Sequence, residues 1–155
     1  MPGPLLLRQV IPPLTAQTAD GKTVRAWDYK QKRPLVIVFL HADCLRCEGW
    51  LGPLSARSAE LAERDAVVLL IYTETLPPKT EALPTPFIAA SDTTGNSQRA
   101  FLGLEAFGPA GLGRVGVFVT DRYGDLFGQW MGKDADELPA PKEIIDTLNI
   151  IQMIC

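Results

Sequence analysis

Two uninterrupted apolar runs restrict this chain more than any other feature. Pro34 to Leu40 and Ala66 to Tyr72 are continuous and rich in β-branched and aliphatic residues. A strand with that pattern is buried on both faces, so layers must cover both sides of its sheet. Between the runs the period changes. From Cys44 to about Arg64, Trp50, Leu54 and Leu61 recur at spacings of four and seven, along one helical face. Pro53 lies inside this pattern, where it removes one hydrogen bond and predicts a kink.

The rest of the chain supplies smaller pieces of the same kind. Residues 1–13, with Pro2, Pro4, Pro12 and Pro13, read as an extended lead-in. Leu14 to Arg25 predicts a hairpin turning at Asp20-Gly21, since glycine accepts a positive φ without a Cβ clash. Ala26 to Tyr29 leads to a basic turn, Lys30-Gln31-Lys32-Arg33, read as a solvated turn. Thr73 to Pro86 is proline-rich loop with room for one helical turn, and Phe87 to Ala90 is a short strand. A short helix follows at Asn96 to Leu102, then a glycine-rich loop from Gly103 to Gly113. Val115 to Thr120 and Asp125 to Met131 read as antiparallel strands joined by Asp121-Arg122-Tyr123-Gly124. Pro141 opens a last helix at a position where its missing N–H costs nothing, with Ile144, Ile145, Leu148 and Ile151 as its buried stripe. Strands alternating with helices predict an α/β domain with helices on both faces of the sheet.

At 155 residues the chain has the length of one domain, and no linker divides it. A net charge of −3 leaves no nucleic-acid footprint. No apolar run reaches the roughly 18–20 residues of a membrane span. Pro4 to Val10 is too short and broken for a signal peptide and lacks a basic start, so the cytoplasm is the expected location. Three cysteines do not make a disulfide scaffold.

Two of those cysteines carry the chemistry. Cys44-Leu45-Arg46-Cys47 stands where the first apolar run gives way to the helical pattern. The first turn of a helix has unpaired N–H groups and partial positive charge, which favour a thiolate over a thiol. Cys44 at the helix start is therefore the candidate nucleophile, and Cys47, one turn in, the candidate resolving cysteine. Arg46 adds positive charge inside the ring and Asp43 opposes it. His41, the sole histidine, either exchanges a proton with Cys44 or caps the strand end. Glu48 either relays protons for the sulfurs or complements the helix dipole. His41, Cys44, Cys47 and Cys155 together are a possible zinc set, although a second close ligand pair is missing. Reduced, packed and inert cysteines are the remaining reading. Gly111 to Gly116 matches G-x-G-x-x-G, but a loop precedes it and a strand follows, so it is rejected as a dinucleotide fingerprint. No cofactor is expected.

In order along the chain stand the Asp20-Gly21-Lys22 hairpin, Trp27-Asp28-Tyr29, Leu35 to Phe39 and Cys44 to Cys47. Ser91-Asp92, Ala100 to Leu104 and Phe118 to Gly124 follow. In that succession the chain resembles the thioredoxin-like superfamily, specifically its alkyl hydroperoxide reductase/thiol-specific antioxidant (redoxin, peroxiredoxin-like) branch. The resemblance implies a thioredoxin-like fold: a central mixed β-sheet flanked by α-helices, with an N-terminal β-hairpin. It implies thiol–disulfide exchange or peroxide reduction through Cys44 and Cys47, with a thioredoxin-type dithiol as electron donor and a peroxide or disulfide as substrate. Val115 stands where thioredoxin-type reductases carry a cis-proline, and Arg114 lies close to where peroxiredoxins carry an arginine. Asp43 replaces the usual aromatic residue, Val38 the buried acid of thioredoxins, and His41 the threonine or serine of peroxiredoxins. The departures at Asp43 and Val38, with Val115, support the alternative of a redox-inactive binding domain.

Overall fold

The computed structural model describes residues 5–42, 44–103 and 114–154. The hairpin comes first, as β1 (Thr15–Gln17) and β2 (Thr23–Arg25), paired antiparallel with Ala16 opposite Val24. Its turn is closed by Gly21 N–H donating to the Thr18 carbonyl at 3.0 Å, with Gly21 at φ +85°. Ala26–Tyr29 forms a 3-10 turn before the basic residues.

The two apolar runs become β3 (Leu35–Phe39) and β4 (Val67–Tyr72), buried along their whole lengths. They pair parallel, and β5 (Phe87–Ser91) extends the parallel set beyond β4. Parallel neighbours need a crossover. Between β3 and β4 it is helical: α1 (Leu45–Ser55) followed by α2 (Ser58–Glu63). Between β4 and β5 it is a loop holding a 3-10 turn, Pro78–Ala82. After α3 (Asn96–Leu102), β6 (Val115–Thr120) returns antiparallel to β3, and β7 (Leu126–Gly132) pairs antiparallel with β6. The chain ends in α4 (Pro141–Ile154). The seven strands form one open sheet in the order β2-β1-β5-β4-β3-β6-β7.

One expectation changes here. In place of a single helix to Arg64 kinked at Pro53, α1 runs through Pro53 and the break falls at Ala56-Arg57. Pro53 has no N–H, so the Gly49 carbonyl four residues before it loses its helical partner. The helix then tightens and stops: Ser55 Oγ donates to the Gly52 carbonyl at 2.9 Å, and Arg57 N–H reaches only three residues back, to Leu54.

Alternation along the strands sorts the core onto two faces. Val36, Val38, Val68 and Leu70 point to the side covered by α1, α2 and α4, where Leu54, Leu61, Ile144 and Leu148 pack. Ile37, Phe39, Leu69 and Ile71 point to the other side, covered by α3 and the hairpin. There Phe39, Phe101 and Phe118 meet with ring centroids 5.1–5.8 Å apart. Gly116 lets α3 lie close on β6, since a Cβ there would meet Leu102 Cδ2 at 2.5 Å. This packing role accounts for the last glycine of the rejected dinucleotide motif. The strand expected after the motif is present, and Gly111 to Gly113 lie outside the described residues. Among the described residues no helix is long and apolar enough to cross a membrane.

Candidate redox site

The site forms where β3 hands over to α1. Ala42 N–H donates to Glu74 Oε2 at 2.9 Å, tying this junction to the loop after β4. Cys44 is the N-cap of α1, with extended backbone (φ −146°, ψ 101°), and its carbonyl accepts the first helical bond from Glu48 at 3.1 Å. Its sulfur does what a serine or aspartate oxygen does at a helix start: Cys44 Sγ accepts the Cys47 N–H at 3.0 Å. A sulfur held there by an N–H and the helix dipole is stabilised as a thiolate when reduced.

Cys44 and Cys47 are joined as a disulfide, with Cα atoms 5.2 Å apart. The two sulfurs differ in access. Cys47 is 2% exposed and belongs to the main core cluster, whereas Cys44 is only partly covered. Leu45, which with Arg46 separates them in sequence, is 86% exposed and leaves an apolar side chain in solvent.

The supporting residues separate into three groups. His41 and Glu48 meet Cys47 in a depression of about 190 Å³ that Tyr72 and Lys79 also line. Lys79 Nζ lies 3.3 Å from Glu48 Oε2. Burial, with Glu48 and Glu74 nearby, pushes the Tyr72 phenol up to about 12. His41 and Arg114 each have an interaction partner. Val115, wholly buried at the start of β6, shares the core cluster of Cys47, and Arg114 directly precedes it.

Arg46 departs from its expected place. Its guanidinium does not add free charge to the disulfide ring: Nη1 reaches Asp136 Oδ2 at 2.9 Å and Asp134 Oδ2 at 3.3 Å. Asp134, the N-cap of the 3-10 turn Ala135–Glu137, and Asp136 within it draw the guanidinium away from the helix start, whose partial positive charge repels a cation. Trp50 fills the packing role expected of it, and its Nε1 also donates to the Pro139 carbonyl at 2.8 Å. Both contacts fasten the first two turns of α1 to the segment before α4.

Sequence reasoning missed Tyr72, Lys79 and Glu74. Tyr72 carried a usable signal, as the only polar group of an apolar run whose neighbour in the sheet leads to the cysteines. Lys79 and Glu74 carried none, being loop charges. Asp43 and Cys155 lie outside the described residues. Among the described residues no group of three or more His, Cys, Asp or Glu side chains is gathered to hold a metal ion.

Comparisons with known proteins follow the same lines. No curated protein sequence matches. In structure the chain is similar to the reduced 2-Cys peroxiredoxin of Plasmodium vivax, with TM-score 0.75 and 14% identity, over 95% of this chain and 96% of that one. It is also similar to the mitochondrial 2-Cys peroxiredoxin of Plasmodium falciparum, with TM-score 0.69 and 12% identity, over 96% of this chain and 95% of that one. A Chlorobium tepidum protein assigned as thiol:disulfide interchange protein DsbE superposes with TM-score 0.64 and 16% identity, over 96% of both chains. These likenesses establish the thioredoxin-like fold. The AhpC/TSA family model matches residues 7–126, most of the 155-residue chain. The chain therefore belongs to the AhpC/TSA family.

Proposed function

We propose that this protein is a thiol–disulfide oxidoreductase in which Cys44 is the nucleophile and Cys47 the resolving cysteine. The observation that carries the reading is the Cys44–Cys47 disulfide formed inside an intact helix start, with one sulfur accessible and the other buried. Membership of a redox family supports it. Because the disulfide forms with Cys44 as N-cap and Cys47 within an intact first turn, ring closure requires no unwinding of α1.

The Cys44 thiolate attacks one sulfur of a substrate disulfide. A mixed disulfide forms on Cys44, the substrate S–S bond breaks, and the first substrate sulfur leaves as a thiolate. Cys47 then gives its proton to the Glu48 carboxylate in the shared depression and attacks Cys44 Sγ. The mixed bond breaks, the second substrate thiolate leaves, and the Cys44–Cys47 disulfide remains. The substrate has gained two electrons and the protein has lost two. A dithiol donor returns them by the same exchange in reverse. The exposed Leu45 offers apolar contact to the chain flanking a substrate disulfide.

The test is a peptide map of the reduced protein after stoichiometric model disulfide or hydrogen peroxide. Exchange with the disulfide is expected to outpace reaction with peroxide, Cys44→Ser to lose both, and Cys47→Ser to trap a mixed disulfide on Cys44. Full activity in Cys44→Ser would overturn the mechanism. Faster reaction with peroxide than with disulfide would make the protein a peroxidase. An alkylation profile of Cys44 centred near the free-thiol value of about 8.5 would leave a redox-inactive binding domain.

A further inference from the structure

A second concavity lies at the opposite end of the sheet. Leu35 opens β3 there, facing Thr120 at the close of β6, while the disulfide follows the far end of β3. At about 3.3 Å per strand residue, the length of β3 separates the two places. The cavity measures about 330 Å³ and is mainly apolar, with the buried Leu14 and Leu35 in its wall. Small-molecule sites begin at about that size, roughly 300 Å³. Its aromatic side chains are Trp27, Tyr29 and Tyr123. Trp27 is 71% exposed, and the neighbouring Val10 is 54% exposed, so a large apolar surface stands open at the mouth.

Charge distinguishes this cavity from an ordinary surface hollow. Arg25, Lys30, Arg33 and Arg122 line it, in a chain whose net charge is −3. Lys30 Nζ sits 4.4 Å from the centroid of the Trp27 ring, and the Arg122 guanidinium 5.0 Å from that of Tyr123. None of the four has a carboxylate within ion-pair distance among the described residues, whereas Arg46, Arg57, Lys79 and Lys142 all do. Two acids are close. Asp121 is 3% exposed, and its Oδ1 already accepts the N–H groups of Tyr123 and Asp125, each at 2.9 Å. Asp28 acts on Tyr29 electrostatically. Four lining cations against one lining acid, Asp121, leave a local positive excess. Burial and then Asp28 raise the Tyr29 phenol, and Arg33 opposes them, so the ring keeps its hydroxyl proton near neutrality as a donor.

We propose that this cavity binds a small aromatic carboxylate. Its ring lies against Trp27 and the tyrosines, and its carboxylate meets the Arg33 and Arg122 guanidiniums at the rim. Apolar walls supply burial, and guanidiniums not ion-paired to a carboxylate among the described residues supply the charge-assisted hydrogen bonds, a combination that selects an amphiphilic anion over a neutral or cationic molecule.

The experiment titrates the full 15N-labelled chain with 2-naphthoate, followed by amide and indole N–H shifts, and repeats the titration with uncharged 2-naphthamide. Saturable shifts are expected at the Trp27 indole and at Leu14 and Gly124, weakening as salt rises. Binding of 2-naphthamide, and of 2-naphthoate to the Arg33→Gln/Arg122→Gln variant, is expected to be weaker by about tenfold or more, a difference of about 1.4 kcal/mol. Trp27→Ala is expected to lose the site while Cys44–Cys47 exchange continues at the wild-type rate. The proposal is overturned if 2-naphthoate causes no saturable shift at millimolar concentration, or shifts residues elsewhere. It is equally overturned if the amide binds wild-type protein as tightly as the carboxylate. Because the amide comparison uses unaltered protein, the test does not depend on the variants folding.

Discussion

The two ends of the central sheet are built on opposite principles. At the cysteine end charges are paired: Arg46 with Asp134 and Asp136, Glu48 with Lys79. Trp50 turns its indole inward to the Pro139 carbonyl. At the other end Trp27 stands in solvent, and among the described residues no carboxylate is ion-paired with the four lining cations. The first arrangement holds the Cys44 sulfur in one position, as the proposed thiol exchange needs because the attacking and resolving atoms must meet in line. The second leaves side chains ready for something not yet bound. Satisfied charge marks the end where geometry is fixed, and unsatisfied charge marks the end open to a ligand.

Core packing should separate the ends most clearly. Leu54 is fully buried on the helix that carries both cysteines. Leu54→Ala is expected to cost about 2–5 kcal/mol in denaturant unfolding, whereas Trp27→Ala should stay within about 0.5 kcal/mol. Equal losses would erase the contrast.

The next effect is set by pH. The folded protein raises Tyr72 from its ordinary 10.0 to about 12, so the fold favours the neutral phenol. Its contribution to stability is complete below pH 10 and is lost as pH rises from there towards 12. Unfolding followed across that window should show a fall that Tyr72→Phe reduces.

Smaller still is the tryptophan hydrogen bond. Trp50→Phe keeps the ring and removes the Nε1 donor from Pro139, for an expected loss of about 1 kcal/mol. A thermal melt reads it, and a silent substitution would mean that packing alone holds α1 to the segment before α4.

The smallest change is expected from Arg46→Ala. The pair is solvent-exposed, so its loss should cost about 0–1 kcal/mol and shrink with salt. With its charge held by two carboxylates, its removal should also leave the alkylation pH profile of reduced Cys44 nearly unchanged. A large shift would return Arg46 to the role that its place in the ring suggests.

Much of the architecture was legible before any coordinates. Pro34 to Leu40 and Ala66 to Tyr72 declared buried strands because nothing in them can face water. Pro141 and the stripe of Ile144, Ile145, Leu148 and Ile151 declared the last helix through a local start signal and spacing. The Cys-x-x-Cys announced a dithiol, since two residues between cysteines at a helix start suit ring closure. The split of the long helix was not legible: Pro53 marks a weak point, yet the break depends on how Gly49, Gly52 and Ser55 share carbonyls around it. Nor was the destination of Arg46, since both the helix start and a distant acidic turn were open to it.

By itself, then, the sequence determined the strands, the helix faces and the closely spaced cysteine pair. All of these depend on residues near one another along the chain, where periodicity and side-chain chemistry leave a readable mark. Only the tertiary structure decided which groups surround the sulfurs and which were left uncompensated. Arg46 meets partners 88 and 90 residues away, and Arg33 and Arg122 line one cavity because β3 and β6 are neighbours in the sheet. Contacts of that range leave no period in a sequence, since they are set by the packing of whole elements.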